Sequence, residues 1–104
     1  MSKKEYPKRV ASRKPTHPGA VLKMTVFPDL GKPIAEIADD LGVTRQSLYQ
    51  LMEEKRALSP EMAIRLGHYL GNGPAIWLRM QSTYDIWKAT QKVDVSGVPV
   101  LSCE

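Results

Sequence analysis

Residues 34–52, Ile34-Ala35-Glu36-Ile37-Ala38-Asp39-Asp40-Leu41-Gly42-Val43-Thr44-Arg45-Gln46-Ser47-Leu48-Tyr49-Gln50-Leu51-Met52, decide the fold. Ile34, Ile37, Ala38 and Leu41 recur at the spacing of a helix with one apolar stripe, and Glu36, Asp39 and Asp40 fall on its other side. Pro33 suits the start of that helix, where its missing N–H has no partner to lose. Gly42 follows Leu41 where a left-handed cap is needed, and Thr44 then offers its hydroxyl to the free N–H groups of a second helix. This second helix, Arg45 to about Met52, turns Leu48, Leu51 and Met52 inward and leaves Arg45, Gln46, Tyr49 and Gln50 outside.

Two helices joined at Gly42, the second with a small N-cap and a polar outer face, form a helix-turn-helix unit. Each position carries a physical demand. Ala38 is small where the second helix crosses closely over the first, Gly42 accepts positive φ, and Val43 turns inward to fill the angle between them. The second helix can then present its N-terminal residues to a major groove wide enough to admit it. Flanking segments share the helical period. Pro18 opens one that carries Val21, Leu22, Met24 and Phe27 and is expected to stop at Pro28. Ser59, Pro60 and Glu61 mark the start of another, with Ala63, Leu66 and Leu70 inward and Gly71 as its stop. A last helix is expected from Pro74 to about Gln91, with Trp77, Met80, Tyr84 and Trp87 in one stripe. No alternating stretch is long enough to argue for a sheet, so the chain reads as all-α with five helices. The expected organisation is a basic arm at 1–14, a helical domain at 15–91 with its motif at about 33–52 and its last helix at 74–91, and a tail at 92–104 without clear period.

At 104 residues and 11.6 kDa the chain fits one domain. A domain this short buries roughly 60–65% of its unfolded surface, which leaves little interior for a substrate cavity and makes oligomerisation a ready way to add core. Fifteen Lys and Arg against eleven Asp and Glu give a net charge of +4, unevenly placed. Within residues 1–14, Lys3, Lys4, Lys8, Arg9, Arg13 and Lys14 stand against Glu5 alone, a net +5; nine basic against ten acidic residues leave −1 for the rest. A basic block without apolar period reads as a disordered arm of the kind that touches a polyanion such as nucleic acid or anionic lipid; such an arm is often only solvated, and nucleic-acid contact is the favoured expectation here. Cys103 is the single cysteine, so an intramolecular disulfide scaffold is excluded. There is no apolar run of ~18 residues to span a bilayer, and the basic start lacks the apolar core of a signal peptide, so a cytoplasmic protein without a membrane partner is expected. His17 and His68 have no Cys or carboxylate partners at ligand spacing, and neither a metal nor another cofactor is expected. A glycine-rich phosphate loop, a Gly-x-Ser-x-Gly elbow and a Cys with a base are all missing, so no catalytic residue is assigned and enzyme readings are disfavoured.

Ala38 followed by Leu41-Gly42-Val43-Thr44-Arg45-Gln46-Ser47-Leu48-Tyr49-Gln50-Leu51 resembles the phage repressor and Cro type of helix-turn-helix, over residues 31–57. The resemblance implies a five-helix, lambda-repressor-like DNA-binding domain. A wider one runs through His17-Pro18-Gly19, Leu58-Ser59-Pro60-Glu61-Met62-Ala63, Gly73-Pro74-Ala75-Ile76-Trp77-Leu78 and Gln81-Ser82-Thr83-Tyr84-Asp85-Ile86-Trp87. These elements are similar to those of the HigA antitoxin family, some of whose members are called virulence-associated protein I. That implies an antitoxin that binds a HigB-like mRNA-cleaving toxin, forms a homodimer and represses its own operon at palindromic operator DNA. Carried over residue by residue, Arg45, Gln46 and Gln50 fall where the family reads base edges, and Thr44, Ser47 and Tyr49 where phosphate or base contacts occur. The residue types suit these roles, since Arg grips guanine O6 and N7 and Gln pairs with adenine N6 and N7. Lys55 and Arg56, in the loop after the second helix of the motif, are placed for sequence-blind phosphate contact.

The sequence departs from the repressor pattern at Ile34, where a polar phosphate-binding residue is often found. With Glu36, Asp39, Asp40, Glu53 and Glu54 around the motif, the core alone is expected to bind modestly and the basic arm to compensate. Deleting residues 1–14 should then flatten the slope of log K against log salt by several units, because each neutralised phosphate contributes about −0.9. A salt titration with an unchanged slope contradicts that role.

In an isolated amphipathic helix Arg45, Gln46 and Gln50 would be an ordinary solvated face; inside the whole motif they are expected to contact DNA. Trp77, Met80, Tyr84 and Trp87 have two open placements, core packing or a dimer interface. Two alternatives to an antitoxin also stay open. One is a stand-alone repressor without a toxin, and the other is a protein-binding inhibitor whose motif has lost DNA affinity.

Overall fold

The computed structural model describes residues 13–101, so Cys103 and all of the basic arm except Arg13 and Lys14 lie outside the described residues. Those residues form five helices and no strand. The first, α1, is one continuous helix made of Pro18–Val21, a wider π-helical turn at Leu22–Val26, and Phe27–Leu30. Then come α2 (Ile34–Leu41), α3 (Arg45–Met52), α4 (Pro60–Leu70) and α5 (Ala75–Thr90).

Pro28 does not end α1, as its position suggested. Gly31 does, at φ 67°. A proline inside a helix removes one N–H and crowds the carbonyl four residues back. Here the five residues before Phe27 widen to the π register, with Phe27 N–H reaching Leu22 O, and the looser turn admits the ring without breaking the helix.

The stripes of α2, α3 and α4 converge on one core. Ile37, Ala38 and Leu41 meet Leu48, Leu51 and Met52, and both pack on Ala63, Leu66, Leu22, Phe27 and Trp77. Leu70 is half-buried at the edge of this cluster. Each fully buried aliphatic or aromatic side chain contributes about 1.5–3 kcal/mol relative to exposure.

His17 N-caps α1. Its Nδ1 accepts from Gly19 N–H at 2.9 Å, the residue is 4% exposed, and Tyr84 meets its ring edge-on at 4.8 Å between centroids. Burial holds the His17 pKa below its ordinary value of 6.5, against the opposite pull of Glu54 and Asp85. A depressed folded pKa means that the unfolded chain takes up the proton first. Stability from this group is therefore complete above pH ~6.5 and falls as the pH drops below it. Melting temperature is expected to fall between pH 7.5 and 5.5, and His17→Asn, which keeps a capping acceptor, should flatten that fall. Equal pH dependence in the two proteins would show that other groups cause it.

Gln81 is a buried polar residue of α5 that the apolar stripe did not reveal. Its Oε1 accepts from Leu58 N–H at 2.8 Å, and its Nε2 donates to Asp85 Oδ1 at 2.9 Å. This amide anchors the end of the loop between α3 and α4. Gln81→Leu should leave the Leu58 N–H buried and unpaired and destabilise the fold by about 1–3 kcal/mol in urea unfolding. A wild-type midpoint would show the bond to be dispensable.

Candidate nucleic-acid interface

The turn of the motif is fixed by backbone hydrogen bonds. Val43 N–H bonds to Ala38 O at 3.0 Å and Gly42 N–H to Asp39 O at 3.1 Å, with Gly42 at φ 75°. This double cap satisfies the last carbonyls of α2 and needs a left-handed residue between them. Val43 is half-buried and packs on the core. Arg65 of α4 closes the turn from outside: Nη1 donates to Leu41 O at 2.8 Å and Nη2 to Glu61 Oε2 at 3.0 Å. A cation at a helix C-terminus is favoured by the helix dipole. Sequence reasoning missed Arg65; its spacing of four from Glu61 was visible, but its reach across to Leu41 was not.

Thr44 caps α3. Its Oγ1 accepts from Ser47 N–H at 3.1 Å, and Ser47 Oγ donates to Thr44 O at 3.1 Å. The Thr44 hydroxyl hydrogen stays available to an outside acceptor. That of Ser47 is committed to Thr44 O, so half-buried Ser47 can accept from a base but has nothing to donate to a phosphate.

Beyond this cap, Arg45 and Gln46 are exposed, Tyr49 is 47% exposed and Gln50 is half-buried, while Leu48, Leu51 and Met52 are buried on the opposite side. α3 ends at Met52, and Glu54 just beyond its cap takes φ 63° between two hydrogen bonds, Glu54 N–H to Leu51 O at 3.0 Å and Lys55 N–H to Gln50 O at 2.8 Å. A non-glycine residue in this conformation costs about 1–2 kcal/mol, and the two bonds hold it there. The reversal leads directly into exposed Lys55 and Arg56.

Acidic side chains near the motif are partly neutralised. Lys32 Nζ lies 2.7 Å from Asp40 and 3.6 Å from Glu36, Tyr69 donates to Asp40 at 2.6 Å, and Lys23 lies 3.3 Å from Glu53. The hydrogen bond to Asp40 raises the Lys32 pKa; those from Lys32 and Tyr69 lower that of Asp40. Exposed pairs of this kind add little stability, at most about 1 kcal/mol, but they cancel charge that would repel a polyanion. Arg45, Lys55 and Arg56 form no ion pair among the described residues.

The aromatic stripe of α5 packs within a single copy. Trp77 is 2% exposed and donates from Nε1 to Asn72 Oδ1 at 3.2 Å, and half-buried Met80 rests on the core. Half-buried Tyr84 and Trp87, 6.0 Å apart, extend the His17 contact into a row of rings, with Lys14 Nζ 6.0 Å from the Trp87 ring centroid. The apolar side chains that α5 leaves in solvent are different ones, Ile76 and Ile86. No helix among the described residues is long and apolar enough to cross a membrane, and no group of three or more His, Cys, Asp or Glu is placed to hold a metal there.

Residues 29–78 match the helix-turn-helix family. The chain is similar to virulence-associated protein A of Dichelobacter nodosus, 37% identical over 73 residues that cover 69% of this chain and 72% of that protein. It is also similar to antitoxin HigA-1 of Vibrio cholerae serotype O1, 32% identical over 79 residues covering 76% and 74% of the two chains. Among solved structures it is similar to the antitoxin HigA of Pseudomonas aeruginosa with the higBA promoter, with a TM-score of 0.76 at 28% identity, over 85% of this chain and 100% of that one.

Proposed function

This chain belongs to the helix-turn-helix family that includes the virulence-associated proteins A and I and the HigA antitoxins, and we propose that it is a cytoplasmic antitoxin that neutralises a HigB-like mRNA-cleaving toxin and, as a homodimer, represses its own operon. The observation that carries the DNA half is the outer face of α3, where Arg45, Gln46 and Tyr49 stand in solvent beyond a capped N-terminus while the other face is locked in the core. Laid in a major groove about 12 Å wide, that face brings Arg45 to a guanine edge and Gln46 and Gln50 to adenine edges. Thr44, Tyr49, Lys55 and Arg56 supply donors for flanking phosphates, which fix the register without reading sequence. Ser47 in this scheme steadies the cap and accepts at most one bond from a base.

Half-sites about 34–36 Å apart, one helical turn, are read by two copies related by a two-fold axis, which is why a palindromic operator and a homodimer go together. The antitoxin half rests on the relatives. Expressing the small open reading frame beside this gene, alone and with this chain, tests it through growth and co-purification. Growth arrest relieved by this chain, with the two proteins eluting together, is the expected result. A neighbour that is harmless, or that arrests growth regardless of this chain, would remove the toxin from the account and leave a stand-alone repressor.

A further inference from the structure

α3 and α4 do not close on each other along their whole length. A cleft of about 190 Å³ opens between them, with Val43, Ser47 and Leu51 on one wall and Ser59, Met62 and Arg65 on the other. The loop that joins the two helices is anchored at Leu58 by Gln81. At the turn of the motif the span is made by Arg65. This side chain rises from a firmly fixed part of α4, since Ala63 and Leu66 beside it are fully buried. Glu61, one helical turn earlier, accepts from Nη2 at 3.0 Å and so orients the planar guanidinium, whose Nη1 reaches the carbonyl of Leu41, the last residue of α2, at 2.8 Å. The guanidinium also lies against Gly42, where a Cβ would stand 2.8 Å from Nη1. The glycine thus meets two demands, a left-handed φ of 75° and room for Arg65.

We propose that Arg65 is a positioning residue for operator recognition: by tying the end of α2 to α4 across the cleft, it fixes the angle at which Arg45 and Gln46 leave the turn and enter the major groove. The proposal rests on base reading by α3, as set out in the preceding section. Paired hydrogen bonds to a base edge tolerate little misalignment, because each weakens steeply away from a linear geometry. A small rotation about Gly42 therefore forfeits them. Lys55 and Arg56 lie beyond the other end of α3, in the loop that Gln81 anchors, so their sequence-blind contacts are held independently of Arg65. Both terminal nitrogens of the guanidinium are engaged within the fold, and Arg65 adds no phosphate contact of its own. Loss of this strut removes specificity and leaves non-specific binding in place.

The test compares the full chain with Arg65→Met, which keeps an unbranched stem on α4 and loses the guanidinium. Binding is measured by fluorescence anisotropy over one salt series, on the DNA upstream of the protein's own gene and on a scrambled duplex, with helix content checked by circular dichroism. Operator affinity is expected to fall by at least ~5-fold, the lower end of what one bidentate base contact contributes, while scrambled DNA is bound as before and the salt slope is unchanged. Simple unfolding would lower both affinities together and leave their ratio intact. Gly42→Asn dislodges the guanidinium by a second route, because asparagine tolerates the left-handed backbone and its Cβ displaces the flexible end of Arg65. It should lower the operator-to-scrambled ratio in the same way. The double variant should be no worse than the weaker single one, since both changes remove one contact. Wild-type operator affinity in Arg65→Met, equal losses on both DNAs, or losses in the ratio that add in the double variant overturn the positioning role and leave base reading by α3 standing. A salt slope flattened by about 0.9 overturns it as well, by making Arg65 a phosphate contact. A wild-type chain that binds the two DNAs alike overturns base reading and this proposal with it.

Discussion

Replacing Arg45 by Ala is expected to weaken binding to the cognate operator by ~5- to 150-fold, the ~1–3 kcal/mol that one bidentate base contact contributes. The loss can be assigned to DNA because Arg45 supports nothing else in the fold. It sits at the first position of α3, is exposed, and has no ion pair among the described residues. Removing a cation from a helix N-terminus slightly favours the helix, so the variant should be as stable as the wild type. Gln46→Ala should act in the same way at its own base pair. Lys55→Ala or Arg56→Ala should instead weaken all sequences alike and reduce the salt slope by about 1. Fluorescence anisotropy on operator and scrambled DNA, with all proteins compared at the same series of salt concentrations, separates the two patterns. An Arg45→Ala protein with wild-type operator affinity would contradict base reading by α3.

Gly19→Ala is expected to destabilise the fold severely. A Cβ at this position would lie 1.8 Å from Leu51 O and 2.8 Å from Leu51 C, both backbone atoms of α3. Neither side can yield freely, because His17 and Pro18 pin the start of α1 and Leu51 is in the core. Overpacking usually costs about 1–3 kcal/mol, and a clash between two backbones lies at or above the top of that range, a large share of a total stability of about 5–15 kcal/mol. Gly31→Ala is the contrasting case. Nothing lies within 4 Å of its missing Cβ, so only its φ of 67° opposes the substitution, at about 1–2 kcal/mol. Denaturant unfolding that ranks the two variants equally would contradict the close approach of α1 to α3.

The parts of this fold that sequence reveals are those whose information is local. The stripe of Ile37, Ala38 and Leu41, the glycine at 42 and the threonine at 44 are neighbours along the chain, and helix period and capping rules act within a turn or two. The same holds for Ser59 at the start of α4, whose hydroxyl accepts from Met62 N–H at 3.1 Å. What escaped notice crosses the chain. Arg65 meets Leu41, Gln81 meets Leu58, and Gly19 meets Leu51, and no spacing rule ties a residue to a carbonyl or amide more than twenty positions away. Pro28 misled for a subtler reason: a proline ends a regular α-helix, but a π turn just before it makes room. In the interface, the outward residues of α3 were legible from their period. The commitment of the Ser47 hydroxyl to Thr44 O, and the pairing that quiets Asp40 and Glu53, were not.

The direct test of DNA recognition by a two-fold pair of α3 helices is a hydroxyl-radical footprint of this protein on the DNA upstream of its own gene, at fixed moderate salt. The account predicts protection in two symmetric patches about one helical turn apart, around 10 base pairs from centre to centre, both lost with Arg45→Ala. A single asymmetric patch, or no protection at concentrations where the protein is dimeric, would contradict it.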